Sequence, residues 1–227
     1  MNKLNRYRQP VTVADLDLAK RCAMGRVVVI DDDIEILSAF NTLIKMEGYA
    51  CEAYLSAQAY LHVLNCNQLC FPGPSCMLCD VKMPEIDGLE LQKRLAEMDE
   101  DMPVLLMSGA SGAQEAVNAF RAGALDFLIK PIDADILMVA VDKALAVSTE
   151  RNSQRVRKSS LAARIATLTQ REREIARRVA AGQTNPVIAE ALGIALRTVK
   201  LHRQRAMEKI GVSKTTDLVR IADEASI

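Results

Sequence analysis

Four short runs of apolar residues punctuate the first two thirds of the chain: Val27–Ile30, Cys76–Cys79, Val104–Met107 and Phe127–Ile129. Each is apolar at every position rather than at alternate ones. That pattern suits strands of a parallel sheet covered on both faces. Helical patterns lie between the runs. Ile36, Phe40 and Leu43 share a face, joined by Leu37 and Ile44, with Gly48 as a stop. Asp87-Gly-Leu-Glu90 has the form of a capping box ahead of Leu89, Leu91 and Leu95. A further strand over about 50–54 and a helix over about 57–63 complete an alternating series. The expectation is an α/β doubly wound, five-stranded parallel sheet.

Every one of these runs ends in a polar residue: Asp31 and Asp32 after the first, then Asp80, Ser108 and Lys130. In an open parallel sheet, ligands bind at the C-terminal strand edges, so these side chains are expected to converge on one crevice. Three carboxylates there repel one another unless a divalent cation sits between them. Oxygen ligands alone suit Mg²⁺, which keeps several waters and accepts phosphate as a further ligand. A lysine and a hydroxyl opposite the cation supply what phosphoryl oxygens need, and one carboxylate is then a nucleophile forming an aspartyl phosphate. Taken singly, each residue has an ordinary explanation. Asp31–Asp33 favour a helix N-terminus, Ser108-Gly109 a turn, and Lys130-Pro131 a strand end. Their joint occurrence at four strand ends favours the site.

The 29 basic and 29 acidic residues cancel to a net charge of zero, but they are unevenly placed. Residues 1–26 carry net +4, residues 27–148 net −12, and residues 149–227 net +8. Asymmetry of this size predicts two domains with different partners: a cation for the acidic part and a polyanion for the basic part. Residues 148–160 are polar and lack an apolar stripe, which predicts a solvated linker or a frayed helix extension. No apolar run reaches 18 residues, which excludes a membrane span. The basic N-terminus lacks the apolar stretch of a secretory signal, so a soluble cytoplasmic protein is expected.

The basic part opens with Leu168-Thr169-Gln-Arg-Glu172, a capping box before a helix containing Ile175, Val179 and Ala180 and ending at Gly182. Asn185-Pro186 reads as a cap with proline at the first helical position, and Gly193 as a tight turn before a third helix over about 196–210. Two short helices joined by a glycine turn form a helix-turn-helix pattern, whose second helix enters the DNA major groove. Val199, His202 and Met207 are expected to face the core. Arg197, Lys200, Arg203, Gln204 and Arg205 are left for phosphates and base edges.

Val28-Val-Ile-Asp31-Asp32-Asp33, Asp80-Val-Lys-Met-Pro-Glu-Ile-Asp-Gly88, Met107-Ser108-Gly109 and Asp126-Phe-Leu-Ile-Lys130-Pro131 resemble the receiver domain of bacterial two-component response regulators. Leu168–Glu174, Arg197–His202 and Lys209–Val212 resemble the LuxR/FixJ-type effector domain. The first resemblance implies Asp80 as phosphoacceptor, with Ser108 and Lys130 on the phosphoryl group and Phe127 as an aromatic switch residue. It implies Mg²⁺ held by Asp32, Asp80 and the main-chain carbonyl of Lys82, with Asp31 acting through water. Phe127 has no hydroxyl, so switching there has to be by packing. The second implies base contacts from Lys200, Leu201 and Gln204, and backbone contacts from Arg197, Thr198 and Arg203. A last helix over about 216–225 is then the dimerisation element through Leu218, Val219 and Ile221. Ala195 stands where such domains usually place a serine-like cap.

The organisation implied is an N-terminal extension (1–25), a receiver (26–147), a linker (148–160) and an all-α four-helix helix-turn-helix domain (161–227). Its partners are a sensor histidine kinase, double-stranded promoter DNA, a second copy when phosphorylated, and RNA polymerase, with no membrane. Two rivals stand beside this. One is an Mg²⁺-dependent phosphatase with an aspartyl nucleophile; such enzymes carry a second aspartate two residues on, where this chain has Lys82. The other is a DNA-binding protein indifferent to phosphorylation. Six cysteines (22, 51, 66, 70, 76, 79) raise a zinc or redox reading. Cys76 and Cys79, three apart on a strand, are expected on opposite faces, which favours small buried hydrophobes instead.

Overall fold

The computed structural model describes residues 24–66, 71, 73–109 and 113–225, so the expected 1–25 extension lies almost wholly outside the described residues. The chain divides into two compact units, residues 1–152 and 153–227.

In the first unit, strands and helices alternate: β1 (Arg26–Ile30), α1 (Ile34–Met46), β2 (Ala50–Tyr54), α2 (Ala57–Asn65), β3 (Ser75–Asp80), α3 (Gly88–Glu97), β4 (Val104–Ser108), α4 (Ala113–Arg121) and β5 (Asp126–Ile129). Helix α5 (Ala134–Ala166) follows. The five strands form one parallel sheet in the order β2-β1-β3-β4-β5. The all-apolar runs have a simple cause, because both faces of the sheet are buried. Val28, Ile30, Met77 and Cys79 enter one core with α2 and α3 residues such as Tyr60 and Leu91. Val27, Val29, Cys76 and Leu78 enter the other with Leu37, Ile44, Leu137 and Val141 from α1 and α5. Each such buried aliphatic side chain contributes about 1.5–3 kcal/mol.

Local signals place the helix starts. Asp33 caps α1 by accepting from the N–H groups of Glu35 (2.8 Å) and Ile36 (3.4 Å). Asp87 caps α3 by accepting from Glu90 N–H (2.7 Å), while the Glu90 carboxylate turns to Arg94 instead of closing the box. On α1 the fully buried positions are Leu37 and Ile44, with Phe40 and Leu43 partly buried at the margin. Of the five expected residues, Leu37 and Ile44 make the deepest core contact, and Ile36 is half-buried. Residues 148–160, the expected linker, are helical throughout and belong to α5.

The second unit holds α6 (Gln170–Ala180), α7 (Asn185–Leu192), α8 (Leu196–Ile210) and α9 (Thr215–Ala225). The capping box on α6 is complete, with Thr169 Oγ1 accepting from Glu172 N–H and the Glu172 carboxylate accepting from Thr169 N–H. Gly193, at φ 62°, makes the left-handed turn between α7 and α8. Two expectations need correction. The cap of α7 is Thr184, not Asn185, which is the first helical residue. Leu218 and Ile221 are buried in the unit's own core with Ile175, Val199, Ala206 and Ile210, leaving Val219 as the exposed member of the three expected to dimerise. An amphipathic helix spends its apolar stripe first on its own domain.

Candidate functional site

The strand order reverses between β1 and β3, and their C-terminal ends carry Asp31 and Asp80. This is the switch point where open α/β sheets bind ligands. Both carboxylates are buried, at 1 % and 6 % exposure. Lys130, directly after β5, sends Nζ between them, 2.6 Å from Asp31 Oδ2 and 2.5 Å from Asp80 Oδ1. The expected carboxylate repulsion is thus relieved by an ammonium group. Burial works against that charge, but the hydrogen bonds to Asp31 and Asp80 outweigh it and hold the amine's pKa above that of a free lysine. The remaining oxygens are also engaged. Asp31 Oδ1 accepts from Asp33 N–H (3.0 Å), and Asp80 Oδ2 from Lys82 N–H (2.7 Å).

Backbone pairing sets these positions. Asp80 lies in register with Met107, so Ser108 stands one residue beyond it on the neighbouring strand, and Lys130 N–H is anchored on Ser108 C=O (2.8 Å). Ser108 is buried and its hydroxyl donates to Glu115 Oε2 at 2.7 Å. Phe127 in β5 packs half-buried against the α3 side of the sheet. Asp32 is exposed beside the pair, and Lys82 points its side chain to solvent with its amine 3.8 Å from Glu115. Gly88 has a specific reason to be glycine: a Cβ there would lie 2.4 Å from the main-chain oxygen of Asp80. The start of α3 therefore rests directly on the backbone of the central aspartate.

In the second unit, the expected DNA-reading residues all lie on α8. Arg197, Lys200, Leu201 and Gln204 are exposed, and Thr198 is half-buried at its start. Val199 is fully buried, while His202 and Met207 are half-buried and Ala206 and Ile210 complete the inward stripe. Arg203 differs from the other basic residues. Its guanidinium donates to Asn185 Oδ1 (3.0 Å) and Thr215 Oγ1 (2.6 Å), bracing α8 against the starts of α7 and α9. Ala195 is the N-cap of α8 and supplies no side-chain bond.

The model of the response regulator receiver domain matches residues 27–142, and that of the bacterial regulatory proteins of the luxR family matches residues 166–222. The response regulator protein TodT of Pseudomonas putida is 34% identical over 197 residues, covering 87% of this chain and 85% of that protein. The transcriptional regulatory protein FixJ of Azorhizobium caulinodans is 37% identical over 197 residues, covering 86% and 90%. The chain belongs to the FixJ-like response regulators. Among solved structures, the response regulator StyR has a TM-score of 0.75 at 29% identity, covering 88% of this chain and 98% of that one. Full-length FixJ from B. japonicum has a TM-score of 0.55 at 33% identity, covering 90% and 98%.

As a FixJ-like response regulator, the protein is a DNA-binding transcriptional regulator and not a classical enzyme, which removes the phosphatase rival. Among the described residues no helix is long and apolar enough to cross a membrane. Cys76 and Cys79 enter opposite cores, as the strand geometry requires. Burial pushes the Cys76 thiol up to about 12 and Cys51 up to about 11, far from the thiolate form that binds metal or reacts. Among the described residues no group of His, Cys, Asp or Glu is arranged to hold a metal ion. Cys22 and Cys70 lie outside the described residues. In the loop between Asn65 and Ser75, Phe71 lies under the Arg26 guanidinium, 5.1 Å from its centre. The sequence had pointed to neither Glu115 nor the Arg203 brace, since an acid in a first helical turn and an arginine on a basic helix both read as ordinary surface charges.

Proposed function

We propose that this regulator is controlled by transfer of a phosphoryl group to Asp80. The observation that carries the reading is the single lysine amine held between two buried carboxylates at the sheet switch point, with a serine hydroxyl one strand away. An Asp80 carboxylate oxygen attacks the phosphorus of a phosphohistidine on a sensor kinase. The P–O bond forms as the P–N bond breaks, and the departing imidazole takes up a proton from solvent. Lys130 then neutralises phosphoryl oxygens in place of the Asp80 carboxylate, and Ser108 turns its hydroxyl toward them. The donor types suit Mg²⁺, since the Asp31, Asp32 and Asp80 carboxylates and the Lys82 main-chain oxygen are all hard oxygen ligands. Here Lys130 Nζ lies between Asp31 and Asp80 and the three carboxylates do not converge on one point, so these side chains would have to rearrange around the ion. Bound there, the ion would offset charge on the transferring phosphoryl group.

Residues 26–147 act as the receiver and residues 161–227 as the DNA-binding domain, with residues 148–160 between them. Inward movement of Ser108 re-packs Phe127 and shifts a pre-existing equilibrium toward a homodimer. Two copies of α8 then meet promoter half-sites about one DNA turn apart, near 34 Å. Lys200, Leu201 and Gln204 meet bases, and Arg197, Thr198 and Arg203 meet the backbone. RNA polymerase is the downstream partner, and the protein works in the cytoplasm. Labelling with radioactive acetyl phosphate and Mg²⁺ tests the site. Wild type incorporates label and Asp80→Asn does not; label persisting in that variant would overturn the assignment.

A further inference from the structure

Glu115 has no part in the phosphoryl site described above, yet it holds two of the groups that flank that site. It stands in the first turn of α4, with a side chain only 20% exposed. Its Oε2 accepts the Ser108 hydroxyl hydrogen bond at 2.7 Å, and its Oε1 lies 3.8 Å from Lys82 Nζ. Lys82 is largely exposed, so that ion pair is weak and the Ser108 bond carries the contact. A serine hydroxyl has one proton to donate. It can give that proton to the Glu115 carboxylate or to a phosphoryl oxygen on Asp80, not to both. The two acceptors are also both anions, and each disfavours the other across a partly buried space.

We propose that Glu115 is a resident counter-anion: it holds Ser108 while Asp80 is unmodified, and the phosphoryl group has to displace it before the domain switches. The proposal rests on the assignment of Asp80 as phosphoacceptor. Glu115 is a positioning residue that acts through Ser108. It sets how much phosphoryl affinity is spent on breaking a contact that already exists. Because it belongs to α4, its release frees the first turn of that helix from the end of β4.

The test uses the full chain and beryllofluoride with Mg²⁺ as a phosphoryl mimic, its binding followed by fluorine NMR. Wild type, Glu115→Gln, Glu115→Ala, Ser108→Ala and the Ser108→Ala/Glu115→Ala double variant are compared. Glu115→Ala is expected to bind the mimic about tenfold tighter than wild type, the worth of one charge-assisted hydrogen bond. Glu115→Gln, which keeps the shape and an acceptor without the charge, is expected to gain about threefold, and it maintains the test if the alanine variant folds poorly. In the Ser108→Ala background the Glu115 substitution should change affinity less than about twofold, since the two act as a unit. Equal affinities in wild type and both Glu115 variants would overturn the proposal. So would the same gain in the Ser108→Ala background, which would mark a diffuse field effect. Wild type that binds no beryllofluoride overturns the Asp80 assignment and this proposal together, whereas wild type that binds with unchanged Glu115 variants overturns this proposal alone.

Discussion

Each unit buries a carboxylate against a lysine, and the two pairs are put to different uses. In the DNA-binding unit, Glu172 Oε2 takes hydrogen bonds from Lys209 Nζ (2.6 Å) and Thr169 N–H (2.9 Å), tying the start of α6 to the end of α8. Lys209 also donates to Thr167 C=O (3.2 Å). Glu172 is buried, while Lys209 and Thr169 lie at the surface and join two helices of one domain through it, so the pair is a staple. In the receiver unit, Lys130 bridges Asp31 and Asp80 at the rim of the sheet, where a new ligand can enter. The same interaction joins two helices in one unit and, in the other, occupies the strand ends at which the proposed phosphoryl chemistry takes place.

The comparison breaks most visibly at Lys130. Lys130→Met leaves two buried carboxylates facing each other, and removing one partner of a buried pair costs about 3–5 kcal/mol. Denaturant unfolding should show that loss, and acetyl-phosphate labelling should fall with it. Glu172→Gln should cost about 1–3 kcal/mol through the weakened Lys209 and Thr169 bonds, with DNA binding reduced and labelling at Asp80 intact. The two shifted groups, Glu172 and Lys130, act in different pH windows. The Lys209 and Thr169 hydrogen bonds hold the Glu172 carboxyl down at about 2, below the unfolded value of about 4.3. Its contribution is therefore present above about pH 4.3 and is lost as pH falls toward 2. Acid unfolding followed by circular dichroism should be shallower over that window in Glu172→Gln. The Lys130 amine is shifted upward, so its contribution is present below about pH 10.4 and disappears only in strong alkali.

A smaller effect separates two basic residues of α8. Arg203→Ala removes the brace to Asn185 and Thr215, so it should lower stability by about 1 kcal/mol as well as weaken DNA binding. Lys200→Ala should weaken DNA binding and reduce its salt slope by about one, leaving the unfolding midpoint unchanged. The smallest is a gain. Ala195→Ser supplies the missing cap of α8, and about 0.5–1 kcal/mol should appear as a rise of a few degrees in Tm.

The candidate receiver site was legible because four of the five strands carry an all-apolar run that stops at an expected site residue; Asp80 ends β3 and Ser108 ends β4, whereas β2 has Glu52 at its centre and contributes none. Strand and helix limits in the second half were legible for a related reason, since capping residues and glycines act locally. Contacts between distant residues were not. Nothing in the spacing of Ser108 and Glu115 announces a hydrogen bond, nor does the separation of 18 between Asn185 and Arg203, which lie on different helices. Residues 148–160 were open to both a solvated linker and a helix extension, because their side chains are almost all exposed or half-buried and carry no apolar stripe; they are the helix extension. Leu218 and Ile221 were misread for the opposite reason: apolar residues on a terminal helix suit an interface or a core equally well until the packing partner is known.

The clamp on Lys130 has a chemical corollary. An amine is a nucleophile only when it has lost its proton, and a lysine held as ammonium between two carboxylates presents almost no free lone pair at neutral pH. Acetyl phosphate carries two electrophilic centres, a phosphorus that carboxylates attack and a carbonyl carbon that amines attack. At this crevice the amine is silenced and the carboxylate is not. With Asp80 as the proposed phosphoacceptor, the clamp on Lys130 would turn the reagent's chemistry at this crevice toward phosphorylation and away from acylation.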